Sequence, residues 1–66
     1  SNFNIKSFVG KIQSLIILDI SGREVIREDN LNYINHNINT RNIISGLYVL
    51  ILRTEDKDFT TKIIIE

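Results

Sequence analysis

The last third of the chain carries two strand-forming runs on either side of a charged turn. Residues 46–52 read Gly-Leu-Tyr-Val-Leu-Ile-Leu, and residues 63–65 are consecutive isoleucines. β-Branched and aromatic side chains favour a pleated sheet over a helix, and the polar residues 55–57 are typical of a solvated connection. We therefore predict a β-hairpin formed by residues 47–54 and 58–65, and we reject an α-helical bundle.

Alternation along the first of these runs gives it two apolar faces. Successive side chains of a strand point to opposite faces of the sheet, and here both sets are apolar: Leu47, Val49 and Ile51 against Tyr48, Leu50 and Leu52. Such a strand is either covered on both sides or leaves an apolar surface exposed, and exposed surfaces and unpaired edges recruit partners. We predict a homo-oligomer formed by strand-edge or apolar-face contact, with these contacts: Tyr48, Leu50, Leu52 and Ile64.

The first 39 residues predict four shorter strands. Residues 14–19 and 23–28 flank the turn sequence Asp19-Ile20-Ser21-Gly22. Asp and Ser hydrogen-bond to their own backbone, and Gly accepts the positive φ that closes a type I turn with a bulge. This pair is the strongest hairpin signal in the sequence, and residues 3–6 and 36–39 read as two further short strands.

The remaining connections are rich in asparagine and glycine. The stretch 29–42 reads as a solvated loop around its one short strand, although its side-chain amides leave a calcium or sugar site open. Residues 39–46 have the composition of a single helical turn that ends before the next strand. We expect Gly22 and Gly46 at positive φ or at a tight backbone approach, because each separates a polar connection from a strand.

The composition excludes several classes of protein. A chain of 66 residues is at most one small domain, and it has no cysteine for a disulfide or a thiolate zinc site. Eight basic residues balance eight acidic ones without a basic cluster, so we expect no nucleic-acid partner. No apolar run approaches the roughly 20 residues that a membrane-spanning helix needs.

Residues with catalytic chemistry are few. His36 is the only histidine, and the sequence places no catalytic partner beside it. Asp19 is explained by its turn, and residues 55–56 by a solvated hairpin tip. Tyr33 and Tyr48 could stack on a sugar or a base, but Tyr48 lies in a strand where an aromatic residue is ordinary core packing. We expect no catalysis, no cofactor and no metal.

Four pieces of the chain, in order, resemble the C-terminal sorting domain of the type IX (Por) secretion system. Residues 12–19 are similar to the family's first strand, which ends in Asp or Asn, and residues 22–25 resemble its glycine-basic-x-valine step. Residues 38–44 lead to a Gly-x-Tyr signature at 46–48, and residues 62–64 resemble its terminal lysine followed by aliphatic residues. The resemblance implies these recognition residues: Asp19, Gly22, Arg23, Gly46, Tyr48, Lys62, Ile63 and Ile64.

The resemblance, which covers residues 10–66, implies a fold, a function and a cellular location. The fold is an all-β, small antiparallel immunoglobulin-like β-sandwich, with residues 1–66 as a single C-terminal sorting-type domain and residues 1–2 either native or a cloning remnant. The function is a sorting signal. The implied partners are the outer-membrane translocon, the sortase components and an upstream cargo domain, which reaches the surface of a Gram-negative bacterium or the medium by way of the periplasm.

Two features depart from the family pattern. The family opens with a Pro-Asn-Pro stretch, whereas this chain has no proline, and residues 55–58 lack the usual Asn-Gly or Asp-Gly. The chain is therefore expected either to lack the first strands of the sandwich or to be a divergent member. The alternative function is a non-catalytic β-sandwich module that binds carbohydrate or supports a secreted enzyme.

Overall fold

The computed structural model contains six strands. It describes residues 2–6, 11–32 and 35–66, with side chains for 11–32 and 37–66. The strands are β1 (Asn2–Lys6), β2 (Ile12–Leu18), β3 (Glu24–Glu28), β4 (Asn35–Asn39), β5 (Gly46–Thr54) and β6 (Asp58–Ile65). All regular structure in the described ranges is β-strand, so the predicted all-β class is confirmed, and none of these ranges contains a helix that could cross a membrane.

The strands form two antiparallel sheets. The larger sheet has the order β3-β2-β5-β6, and the smaller pairs β1 with β4. Both predicted hairpins are present, as β2–β3 and β5–β6. The central pairing of β2 with β5 joins the two hairpins, with a register shift between Ile12 and Ser14. The two hairpins are connected in sequence by residues 29–45, which include β4 of the smaller sheet.

The helical turn predicted over residues 39–46 is wrong. The Ile43 N–H donates to the Thr40 carbonyl at 3.0 Å, which closes a β-turn instead. The Asn39 side chain also accepts from the Arg41 N–H at 3.0 Å, a local bond that asparagine offers in place of a helical one. The chain then enters β5 directly at Gly46.

The core lies on one face of the four-stranded sheet, which we call the inner face. Ile12, Leu15 and Ile17 of β2 are fully buried there, and Ile38 of β4 is buried in the same cluster. Through Ile38, the small sheet therefore contributes a second layer to the core on the inner face of the large one. In the described part of the chain, no buried side-chain nitrogen or oxygen lacks a hydrogen-bond partner.

The two apolar faces of β5 have different surroundings. Tyr48, Leu50 and Leu52 point to the inner face and are at most 8% exposed, so the prediction that they form contacts between copies is wrong. The second layer covers them, which a single strand sequence does not reveal. The opposite side of the sheet, which we call the outer face, carries six partly exposed or exposed apolar side chains: Ile16, Leu18, Leu47, Val49, Ile51 and Ile64.

Candidate functional site

All eight candidate recognition residues lie at one end of the four-stranded sheet. At this end, which we call the motif end, β2 and β6 finish and β3 and β5 begin. The register pairs Leu18 with Val49 and Val49 with Lys62, and it pairs Gly46 with Ile65. Segments far apart in sequence thereby converge, because antiparallel pairing returns the end of β6 to the beginning of β5.

The β2–β3 turn is built around the Asp19 carboxylate. Its Oδ1 accepts from the N–H of Ser21 at 3.0 Å, from the Ser21 hydroxyl at 2.7 Å and from the N–H of Arg23 at 2.9 Å. Its Oδ2 accepts from the Arg23 guanidinium at 3.2 Å. One carboxylate therefore satisfies several donors that the turn leaves without partners, which gives a structural reason for an aspartate at this position.

The same contacts stabilise the charged form of the turn. The pKa of Asp19 lies below its usual value, chiefly because the Ser21 hydroxyl donates to the carboxylate, with the Arg23 N–H next in importance. Beside it on β3, the Arg27 guanidinium donates to Glu24 at 2.9 and 3.0 Å and lowers the pKa of that carboxyl. Both carboxylates therefore remain ionised well into the acid range.

Gly22 completes the turn, and Gly46 begins β5. Gly22 has a φ of 89°, in the region that favours glycine, so the expectation for this residue is confirmed. Gly46 also has a positive φ, but at 159° it borders the extended region, and a Cβ there would meet only the Tyr48 ring at 3.9 Å. The backbone requirement for glycine is therefore much stronger at Gly22.

Tyr48 links the motif end to the core. Its ring is 8% exposed within the core cluster, and its hydroxyl donates to the Ile44 carbonyl. The hydrogen bond holds the segment before β5 against the strand, while the ring fills the inner face. The prediction that Tyr48 is a core residue is confirmed.

An open pocket of about 320 Å³ lies where these elements meet. Its apolar lining includes Val25 and Ile43, which pack against the core cluster, so the pocket is on the inner side of the sheet. Its other lining residues are polar or lie at the mouth: Asp19, Arg23, Glu24, Asn42, Ile44 and Tyr48. A pocket with an apolar floor and a charged rim suits an apolar side chain flanked by polar groups.

The three remaining motif residues lie on β6, the edge strand of the sheet. Ile63 points inward and is 9% exposed, whereas Lys62 is exposed and Ile64 is 69% exposed. The alternation of the strand therefore separates the three positions into one core residue and two surface residues. Lys62 and Ile64 share the outer face with Val49 and Leu47, their cross-strand neighbours.

Sequence reasoning missed two exposed isoleucines at the motif end. Ile20 is 82% exposed within the β2–β3 turn, and Ile44, which lines the pocket, is 84% exposed just before β5. Each is a large apolar residue in a connection, where a turn alone favours a small or polar side chain. That local mismatch is the signal that would have identified them.

The described residues around the motif end have the chemistry of a binding surface. Within the described part of the chain, no group of three or more His, Asp or Glu side chains could hold a metal ion. Tyr33 and the side chain of His36 lie outside the described residues. Charged hydrogen-bonded groups, a pocket and exposed isoleucines suit protein recognition, in which one partner reads shape and charge.

Comparison with known proteins gives one match. The family model for the secretion system C-terminal sorting domain matches residues 1–66. No curated protein and no solved structure matches the chain.

Proposed function

The chain belongs to the secretion system C-terminal sorting domain family. From this membership we infer which of its surfaces binds a partner. The chain is a sorting signal that directs a cargo protein across the outer membrane by type IX secretion. The protein that carries it crosses the periplasm and is secreted or displayed on the cell surface. The resemblance in the four sequence pieces agrees with this family assignment.

We propose that the secretion machinery reads the motif end of the sheet. Five of the motif residues build this end, and three present side chains to solvent. Asp19, Gly22, Gly46, Tyr48 and Ile63 form the turn, the strand start and the core beneath them. The three that present side chains are Arg23, Lys62 and Ile64.

The observation that carries this proposal is the position of the exposed apolar residues. Among the residues with described side chains, five large hydrophobic ones are exposed, and four of these lie at the motif end: Ile20, Ile44, Leu47 and Ile64. Exposed apolar side chains that cluster in one region commonly mark a partner surface. Their overlap with the family motif supports recognition at this end of the sheet.

Within this proposal the pocket and its rim are the first contact. A partner could insert an apolar group between Ile44 and Val25, while Arg23, whose side chain is 79% exposed, offers a charge at the rim. We propose the translocon and the sortase components as the partners, with the cargo domain upstream. The domain then acts by binding alone, and the cargo supplies any catalysis.

The test fuses the chain behind a periplasmic reporter in a bacterium that has the type IX system. Ile20→Ser and Ile44→Ser, combined in one variant, remove two exposed isoleucines that the core does not use. We expect the reporter to accumulate in the periplasm, with at least a tenfold loss of surface delivery, and we expect the melting temperature of the isolated chain to change little.

Phe59→Ser is the matched control. Phe59 is 37% exposed at the opposite end of the sheet, so the change removes a similar exposed apolar side chain away from the motif end. We expect this variant to be delivered normally. Normal delivery of the Ile20→Ser, Ile44→Ser variant, or an equal loss with Phe59→Ser, would contradict recognition at the motif end.

A further inference from the structure

The outer face of the four-stranded sheet has an apolar centre and charged margins. The register places one residue from each strand in a row across this face, in the order Glu24, Leu18, Val49 and Lys62. The next row is Arg27, Ile16, Ile51 and Thr60. In these two rows, apolar residues of β2 and β5 lie between polar residues of the two edge strands, and beyond the first row β6 continues with the apolar Ile64.

The two margins of the first row carry opposite charges. Glu24 lies on β3 and Lys62 on β6, at opposite edges of the same sheet. Glu24 is paired with Arg27, whereas the Lys62 ammonium forms no ion pair within residues 11–32 and 37–66. The face thus presents a glutamate held by Arg27 on one side and, on the other, a lysine without an ion pair among the described side chains, at the same height along the strands.

We propose that the outer face is covered by a second copy of this chain in a symmetric dimer. The two-fold axis lies in the interface, parallel to the strands and between β2 and β5. This symmetry places β3 of one copy over β6 of the other and β2 over β5. Glu24 then faces the partner's Lys62, and this contact occurs twice because the interface is isologous. The inference does not rest on recognition at the motif-end pocket, but the two surfaces meet at Glu24, which also lines that pocket. The dimer covers Lys62 and Ile64 on the outer face, so the secretion machinery reads those two side chains in the monomer.

The geometry of packed sheets permits these contacts. Stacked sheets lie about 10 Å apart, a distance that a glutamate and a lysine side chain span together. Edge strands are about 7 Å from the axis, so a crossing angle of about 30° displaces the facing positions by about 4 Å. The flexible lysine stem accommodates that displacement.

The charge pattern selects this axis over the other in-plane two-fold. An axis perpendicular to the strands would place the motif end of one copy over the hairpin-tip end of the other. Leu47 and Ile64 would then face Arg53 and Asp58, which form an ion pair at 3.3 Å. Burying that pair against apolar side chains would cost solvation without a new partner. The axis parallel to the strands places each row over the same row of the partner. It leaves the Arg53–Asp58 ion pair at the rim of the interface.

The area of the face predicts a weak dimer. Four strands of about six residues cover roughly 20 × 20 Å, about half of the roughly 800 Å² that each partner buries in a standard interface. We therefore expect an equilibrium that shifts across the range from about 10 µM to about 1 mM, which sedimentation velocity follows directly.

The first experiment exchanges the two facing charges in the full 66-residue chain. Glu24→Lys and Lys62→Glu each place like charges opposite one another at both symmetric contacts, so each should weaken the dimer about tenfold. The variant with both changes restores opposite charges and should regain most of the wild-type affinity. Lys57→Glu, at the hairpin tip, changes the net charge by the same amount as Lys62→Glu and should leave the dimer unchanged.

The second experiment uses the absence of native cysteine. Glu24→Cys and Lys62→Cys chains are treated with a short bis-maleimide linker separately and then as a mixture, because facing Cα atoms about 10 Å apart are too distant for a direct disulfide. We expect the linked dimer to form rapidly in the mixture and slowly in either chain alone, because the two-fold brings position 24 to position 62. A mixture of Glu24→Cys with Lys57→Cys is the control and should cross-link slowly.

Three outcomes would overturn the proposal. They are a wild-type chain that stays monomeric at about 1 mM, a charge exchange that fails to restore the dimer, and equal cross-linking in the mixture and the single chains. Val49→Lys supplies an independent check, because it places a charge at the apolar centre and should abolish the dimer. A dimer that survives this change in a folded chain would locate the contact at the β6 edge instead.

Discussion

Each end of the four-stranded sheet has a hairpin turn, and the two turns are stabilised by different chemistry. At the motif end the β2–β3 turn is organised by the Asp19 carboxylate, which is charged and lies at the surface. At the other end the β5–β6 tip is organised by the Thr54 hydroxyl, in a residue that is 4% exposed. That hydroxyl accepts from the Lys57 N–H at 3.2 Å and donates to the Lys57 carbonyl at 2.8 Å.

The comparison of the two turns shows that a hairpin of this sheet can close without exposed isoleucines. The tip closes its hairpin with a buried neutral group, and its one exposed large apolar side chain, Phe59, has the Lys57 ammonium 5.7 Å from its ring centre. The motif end exposes Ile20 and Ile44 at 82% and 84%. Because the tip folds without exposed isoleucines, those of the motif end are better explained by a partner.

Tyr48→Ala should produce the largest change and should separate the core of the motif end from its surface. Removing a buried aromatic ring leaves a cavity and frees the Ile44 carbonyl, so we expect a loss of about 3–5 kcal/mol in the free energy of unfolding. For a chain of this length that loss can exceed the total stability. Urea or thermal denaturation followed by circular dichroism measures it.

Leu47→Ala is the neighbouring control for Tyr48→Ala. Leu47 is on the outer face and 47% exposed, so its truncation should cost less than about 1 kcal/mol. Equal losses at both positions would show that the inner and outer faces of β5 are buried to the same extent. That result would contradict the two-layer description.

Gly22→Ala should produce an intermediate change. An alanine Cβ at a φ of 89° is strained even though no atom lies within 4 Å of it, so we expect a loss of about 1 kcal/mol. For a domain of this size that corresponds to a fall of roughly 4–8 °C in melting temperature. Gly46→Ala should cost less, and a larger loss there would reverse the assignment of the strained position.

The sequence predicted most of the fold because its signals are local. Six strands, two hairpins and the turn at Asp19 follow from alternation, β-branched residues and turn-formers that act over a few positions. The sequence did not predict which face of β5 is buried. That choice depends on Ile38 of β4, which covers the inner face from a different sheet, and no periodicity within β5 distinguishes two apolar faces.

The sequence predicted which residues belong to the candidate site but not how they are arranged in space. The resemblance identified Asp19, Arg23 and Tyr48, but their convergence on one pocket depends on the β2–β5 register. It also did not separate Ile63, which supports the core, from Lys62 and Ile64, which face solvent. Ile20 lies outside the four resembling pieces and Ile44 ends one of them, but neither is among the eight recognition residues. Their exposure follows from the turns that hold them.

The smallest expected effect is the acid sensitivity that distinguishes the two turns. The pKa of Asp19 is lowered in the folded chain from an ordinary value of 3.8, mainly by the Ser21 hydroxyl. Its contribution to stability is therefore complete above that ordinary value and is lost as the pH falls through it toward the folded pKa. The Thr54 hydroxyl does not titrate, so its own hydrogen bonds contribute equally across this range.

Melting temperatures measured between about pH 6 and about pH 2 test this difference between the turns. Asp19→Ala should lower the melting temperature near neutral pH and flatten its decline in acid, since the titrating carboxylate is gone. Thr54→Ala should lower the melting temperature by the same amount at every pH and keep the wild-type slope. Glu24, whose pKa is lowered by Arg27, sustains part of the decline in both variants. If Asp19→Ala retained the full wild-type slope, the acid sensitivity would belong to Glu24 and the remaining carboxylates, and the two turns would be equivalent in this respect.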